Sequence, residues 1–196
     1  MGIILASASP RRQELLERMG LTGFTVHPAR ITEVIEPGAT PQEAVMALSR
    51  QKAAAVAAEF PDDLVIAADT VVVFDRRILG TPHSEEQARE MLSMLSGKTH
   101  HVCTGFTLRQ GSHVETGCEE SEVWFRELTG AEIDAYIATG EPMDKAGAYG
   151  IQGYGSLLVR GIRGDYFNVM GRPVCRLGVA LKNFGVDCAS LWPKKG

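Results

Sequence analysis

The sequence predicts a mixed α/β fold, and three observations carry that reading. The run DLVIAADTVVVF, residues 63–74, is short and almost wholly apolar, which suits a strand buried on both faces. Residues 40–59 and 84–95 open with T-x-x-E and S-x-x-Q signatures and continue with apolar side chains at helical spacing. Residues 99–109 and 113–126 read as two longer strands joined by the turn QGS, so the chain meanders in antiparallel pieces and is not a regular βαβ array.

Each element follows from its local chemistry. Residues 3–6, IILA, read as a strand. Ser9 can cap a helix over 10–19, with Pro10 at the first helical position and Leu15, Leu16 and Met19 facing inward. The segment 24–36 is extended and irregular. Thr40, Pro41 and Glu43 form a capping box with proline at its first helical position, and that helix runs to about residue 59. After the apolar strand the chain turns at DRR into a short strand ending at Leu79. Ser84 and Gln87 open the next helix, whose inner stripe is Ala88, Met91, Leu92 and Leu95 and whose stop is Gly97.

Thr129 opens a further helix with Ile133, Tyr136 and Ile137 inside, ended by Thr139–Gly140. The glycine-rich AGAYGIQGYG then leads into a strand within SLLVRGIRG, a bend at DYFNVMG and a last helix from Pro173 to Phe184. The tail WPKKG is expected to fray. A single domain over 1–196 is expected, with any lobe boundary near residues 110–130.

Composition narrows the function. At 196 residues, 44% hydrophobic and 22% charged, this is an ordinary globular composition. A net charge of −4 argues against a general nucleic-acid binder, yet a small anionic ligand needs only a local cluster of cations. Cys103, Cys118, Cys175 and Cys188 are scattered without a CxxC pair, which speaks for reduced thiols in or near the core over a disulfide framework or zinc site. GIILASASP does not read as a signal peptide and no apolar run has the length of a membrane span, so a cytoplasmic protein without a membrane partner is expected.

The chemistry starts at Asp69. In VIAADTVVVF only Asp69 and Thr70 are polar, and a carboxylate in a core strand must be paired, metal-bound or raised in pKa, unless it sits at an exposed strand end. Lys52 is placed four residues after Leu48 and four before Val56 on one helix stripe, where lysine needs a partner, a ligand or a route to the rim. Arg50 is off that stripe and solvated. Glu33 would be an ordinary surface glutamate by itself; with Asp69 it could hold a hard cation such as Mg²⁺.

The segment SASPRRQELL puts Arg11 and Arg12 in a helix's first turn, where the macrodipole is already positive. That cost, on the order of 0.3–1 kcal/mol each, vanishes when a polyphosphate sits there beside Ser7 and Ser9. The loop DKAGAYGIQGYG fits neither a P-loop nor a dinucleotide fingerprint, but it allows close backbone approach, with Asp144, Lys145 and Gln152 offering polar contacts. A glycine-rich turn without a ligand is the plainer alternative. His100 and His101 are adjacent on a strand and point to opposite faces, and no serine has a G-x-S-x-G setting. Together these residues suggest chemistry on a triphosphate.

The blocks LASASPRRQELL, LSRQKA, AADTVVV, LSGKTHHVCTG, DKAGAYGIQG and NVMGRP, spread over residues 3–184, resemble in order the motifs of the Maf family of nucleoside triphosphate pyrophosphatases. The resemblance implies an elongated, two-lobed α/β fold with a mixed sheet and a central cleft, similar to inosine-triphosphate pyrophosphatase, and a homodimer as a common assembly. It implies cleavage of the α–β phosphoanhydride bond with a divalent cation, Mg²⁺ or Mn²⁺. Carried over by position, Asp69 resembles the group that activates water and Lys52 a catalytic contact. Ser7 and Arg12 would meet substrate, and Glu33 would join Asp69 at the metal; Lys145, read from the glycine-rich loop, is a further candidate substrate contact. Arg11, Thr70 and Gln152 match the branch similar to dTTP/UTP pyrophosphatases; the branch acting on 7-methyl-GTP has Trp, Gln and Glu there.

The sequence departs from the family pattern twice. Thr81 stands before Pro82 where the family usually has lysine, and Thr32–Glu33 supplies one carboxylate where relatives often have two. The expected function is hydrolysis of dTTP, UTP and modified pyrimidine nucleotides to monophosphate and pyrophosphate. The alternatives are a nucleotide-binding regulator of cell division with little turnover, and the same chemistry on 7-methyl-GTP or another purine.

Overall fold

The structure is a computed structural model and describes residues 2–193; residues 194–196, the end of the expected frayed tail, lie outside them. The order of elements begins β1 (Ile3–Leu5), α1 (Pro10–Arg18), β2 (Thr25–Val26), α2 (Pro41–Glu59), β3 (Leu64–Phe74) and β4 (Arg77–Leu79). It continues α3 (Glu85–Leu95), β5 (Thr99–Gln110), β6 (His113–Phe125), α4 (Gly130–Ala138), β7 (Val159–Arg163), α5 (Tyr166–Val169) and α6 (Val174–Leu181).

The mixed α/β expectation holds. Among the described residues, seven strands form one sheet of order β2-β1-β3-β5-β6-β7, with β4 paired to β3. β1 is parallel to both β2 and β3, while the β3–β4 and β6–β7 pairs are antiparallel. The parallel pairs lie where helices intervene in sequence, as a crossover requires, and the tight turn after Phe74 makes its pair antiparallel. β3 is an interior strand, as its apolar run demands, and its burial relaxes at Asp69 and Thr70 between fully buried neighbours.

The chain divides into two compact units, Met1–Asp69 with Thr104–Glu119 and Gly171–Gly196, and Thr70–Cys103 with Glu120–Met170. The first unit is packed around Leu5, Leu16, Leu64, Ile66, Phe106 and Leu177, with a second cluster around Ala53, Val56 and Val65 under α2. The second unit has its own core, in which Leu92, Leu95, Val123, Ile133, Tyr149 and Leu158 take part.

Helix α2 is held in register by contacts that matter below. The capping box is complete: the Thr40 side chain accepts from the Glu43 amide, and the Glu43 carboxylate accepts from the Thr40 amide. Val45, Leu48 and Val56 are buried as the stripe demanded. At Val45 the helix backbone lies against β5, where a Cβ on Gly105 would stand 2.5 Å from the Val45 carbonyl. One turn on, the Ser49 hydroxyl meets that of Thr107 at 2.8 Å, fully buried.

Two local expectations are corrected. Ser9 occupies the N-cap of α1 but makes no side-chain cap; its amide instead donates to Ser7 Oγ. Ser84 caps α3, but the Gln87 side chain accepts from the His83 amide, one residue before the cap, so only half of the S-x-x-Q box forms. A glutamine side chain is long enough to serve either nitrogen, and here it serves the preceding one.

Candidate active site

The first unit gathers most of the residues singled out from the sequence. Gly105 and the Ser49–Thr107 bond fix α2 against the sheet, and Lys52, three residues past Ser49, projects to the middle of β3. There Lys52 Nζ donates to Asp69 Oδ1 and lies 2.8 Å from Glu33 Oε1. The side chains of Lys52 and Asp69 are only 15% and 13% exposed, whereas that of Glu33 is 47% exposed. The lysine on an apolar stripe and the carboxylate in an apolar strand therefore explain each other, because a buried charge needs a partner. The segment carrying Glu33 is itself tied to α2, since the Gln51 side chain donates to the Val34 carbonyl and accepts from the Val34 amide.

Arg12 completes this group from the first turn of α1. Its Nη1 donates to Ser7 Oγ at 3.3 Å and its Nε to the Gly171 carbonyl at 3.1 Å. Burial draws its pKa below the usual arginine value, against the attraction of Asp69 and Glu33, while Arg11 adds like-charge repulsion. Ser7, Arg11, Arg12, Glu33, Lys52 and Asp69 thus belong to one unit and, apart from Ser7, share one electrostatic neighbourhood. Ser7 joins it through its bond to Arg12.

Thr70, Lys145 and Gln152 belong to the second unit. Thr70 follows Asp69 on β3 and is partly buried. Lys145 Nζ is held by the Asp144 carboxylate at 2.7 Å and by the Glu141 carbonyl. Gln152 leads into a 3-10 turn over Gly153–Leu157. The loop around them is organised by Glu141 and Tyr136. Glu141 accepts from the Tyr136 hydroxyl at 2.9 Å and from the amides of Tyr154 and Gly155, and the Gly150 amide donates to the same hydroxyl. A Cβ at Gly155 would lie 2.0 Å from the Gly150 carbonyl, so this fold-back requires glycine.

Sequence reasoning missed Arg172. It is 0% exposed, and no guanidinium nitrogen has a hydrogen-bond partner among the described residues. Burial, and then repulsion from Arg12, push its pKa down to about 9. The residue lies in the block NVMGRP, but between Gly171 and Pro173 it reads as a loop residue, which concealed its burial. Glu141 was equally silent, because a glutamate after Thr-Gly looks like a solvated turn, and Tyr136 reads only as an inward-facing residue of its helix.

A lysine gripped by two carboxylates thus shares one electrostatic neighbourhood with the arginines at a helix start. The chain belongs to the Maf family: the family model described as Maf-like protein matches residues 2–184. It is 51% identical over 185 residues to a dTTP/UTP pyrophosphatase of Bacillus cereus, covering 94% of this chain and 96% of that one. A dTTP/UTP pyrophosphatase of Bacillus thuringiensis subsp. konkukian is 50% identical over the same shares. Among solved structures, a HAM1 protein from Coxiella burnetii is similar at TM-score 0.50 and 16% identity, over 93% of this chain and 99% of that one, which speaks for fold alone.

Proposed function

We propose that the protein hydrolyses dTTP and UTP to the nucleoside monophosphate and pyrophosphate. The observation that carries this reading is Lys52 held between Asp69 and Glu33 in the same charge neighbourhood as Arg12. It agrees with the activity for which relatives about half identical across 94% of the chain are named.

In this reading Arg12, Ser7 and the start of α1 grip the phosphates. Asp69 Oδ1 is engaged by Lys52, so Oδ2 takes the proton from the attacking water. As the water oxygen bonds to phosphorus, the α–β P–O bond breaks and its electrons leave with pyrophosphate; Lys52 and Arg12 counter the charge that develops. Glu33 and Asp69 would hold a divalent cation, and their chemistry fits one. Two hard carboxylates converge, while no group of three or more His, Cys, Asp or Glu forms a protein cage among the described residues. Mg²⁺ and Mn²⁺ suit such a site, with remaining ligands from water and phosphate. The cation would act as a Lewis acid toward the phosphate oxygens.

Arg11, Thr70 and Gln152 are assigned the choice of a pyrimidine base, and Lys145 a supporting contact. A cytoplasmic location and a homodimer accompany the reading; among the described residues no helix is long and apolar enough to cross a membrane.

The test is pyrophosphate release from a panel of triphosphates with Mg²⁺ or Mn²⁺, for wild type and Asp69→Asn. UTP and dTTP should lead, and Asp69→Asn should lose roughly 100- to 10,000-fold in kcat. Tight UTP binding without release would replace the enzyme with a nucleotide-binding regulator. A purine preference would overturn the base assignment.

A further inference from the structure

Arg172 is an anomaly in the first unit. A guanidinium can donate five hydrogen bonds and keeps its charge in proteins, so it is rarely buried without a partner. Here it is fully buried, its nitrogens are unpartnered among the described residues, and the charge that perturbs it is another cation, Arg12. The backbone ties the two arginines together, since the carbonyl of Gly171, next to Arg172, accepts from Arg12 Nε.

Around Arg172 the charged groups are Arg12 and, about that arginine, Arg11, Lys52, Glu33 and Asp69, and among the described residues no carboxylate bonds to Arg172. Both carboxylates are already engaged with Lys52. An unpaired buried ion is strongly destabilising, because desolvation is not repaid by attraction. Such a group persists where the missing charge arrives with a ligand. A polyphosphate brings several negative charges, and in a low-dielectric setting a cation need not touch them to attract them.

We propose that Arg172 is a positioning residue of the phosphate site, a buried cation beside Arg12 whose counter-charge is the bound polyphosphate, so that it strengthens anion binding while weakening the free fold. The inference rests on the reading of the site as a triphosphate site and deepens it. Arg172 does not take part in bond breaking. It acts through Arg12 and the local potential, and its signature is opposite effects on stability and affinity.

The experiment compares wild type, Arg172→Met and Arg172→Lys by thermal unfolding without ligand, by titration with inorganic tripolyphosphate, and by steady-state kinetics on UTP. Arg172→Met should unfold at a higher temperature than wild type, bind tripolyphosphate about tenfold more weakly and show a shallower salt dependence across roughly 50 to 200 mM. Its KM for UTP should rise with kcat changed by less than about twofold. Arg172→Lys, which keeps the charge, should retain most of the affinity, and it carries the comparison should the methionine variant fail to fold. Unchanged tripolyphosphate affinity in Arg172→Met overturns the inference. Lower stability together with lower affinity also overturns it, because that marks a structural residue. Failure of wild type to bind tripolyphosphate or UTP would instead remove the reading of the site on which the inference stands.

Discussion

The charge cluster of the first unit and the glycine-rich loop of the second handle polar groups in opposite ways. In the loop, Glu141 takes hydrogen bonds from Tyr136, Tyr154 and Gly155, and Lys145 is held by Asp144 and the Glu141 carbonyl. These bonds connect residues that are near in sequence and fix one backbone path. In the cluster, Arg172 is buried beside another cation, Arg12, and has no hydrogen-bond partner among the described residues. A network satisfied from within rigidifies a scaffold, whereas one left short of negative charge is completed by a ligand.

The largest expected effect breaks the cluster at its centre. Lys52→Met leaves Asp69 and Glu33 without their shared cation, and kcat/KM for UTP should fall roughly a hundredfold to a thousandfold. Lys52→Arg keeps the charge on a bulkier, planar group and should recover part of that loss. Equal activity in all three proteins would show that the pairing serves the fold alone.

The next effect lies in the second unit's core and tests whether a buried polar group there is truly at rest. His100 is buried, its Nε2 2.7 Å from the Tyr149 hydroxyl, and burial with repulsion from His101 lowers its pKa to about 3. The unfolded histidine, at 6.5, binds a proton that the folded one refuses. Stability should therefore be full above about pH 6.5 and fall by up to roughly 1.4 kcal/mol per pH unit toward pH 3. Urea unfolding at a series of acidic pH values measures this, and His100→Phe should flatten the slope. A slope unchanged by the substitution would assign acid sensitivity elsewhere.

These tests also mark what the sequence could disclose. Asp69 and Lys52 stood out because each violates the apolar pattern of its own element, a rule that operates over neighbouring residues. Their partnership, across 17 residues, follows from how α2 lies on the sheet, and that depends on Gly105, whose place at the end of LSGKTHHVCTG does not disclose the helix packed against it. Arg12 and Gly171 are 159 residues apart, and the burial of Arg172 arises from that tertiary approach, while its Gly and Pro neighbours suggest an exposed bend. Glu141 likewise acquires its role only when the glycine loop folds back over it. Elements and charge violations were legible because they are local; the organisers of the site were not, because their meaning is made by packing.

The smallest effect supplies the internal control, since each unit contains the same local device. Thr40–Glu43 opens α2, which carries Lys52, and Thr129–Glu132 opens α4, which carries Tyr136; both capping boxes are complete. Thr40→Ala and Thr129→Ala should each cost about 1 kcal/mol of stability, measured by urea unfolding, because each removes the acceptor for one helix-end amide. The acid limbs should differ. Glu132 is lowered to about 2 by hydrogen bonding from Arg126 and Thr129, whereas Glu43 is lowered through Thr40 alone. Both contributions are present above the unfolded value of 4.5 and fade as pH falls through the folded one, so the Thr129 box should persist further into acid. At neutral pH, KM for UTP should stay near wild type in both variants, because α2 is held to the sheet by Val45, Ser49 and Gly105 well beyond its first turn. If Thr40→Ala alone raised KM, the cluster would depend on helix-end stability, and the contrast between a ligand-completed site and a self-satisfied loop would reduce to a difference in local rigidity.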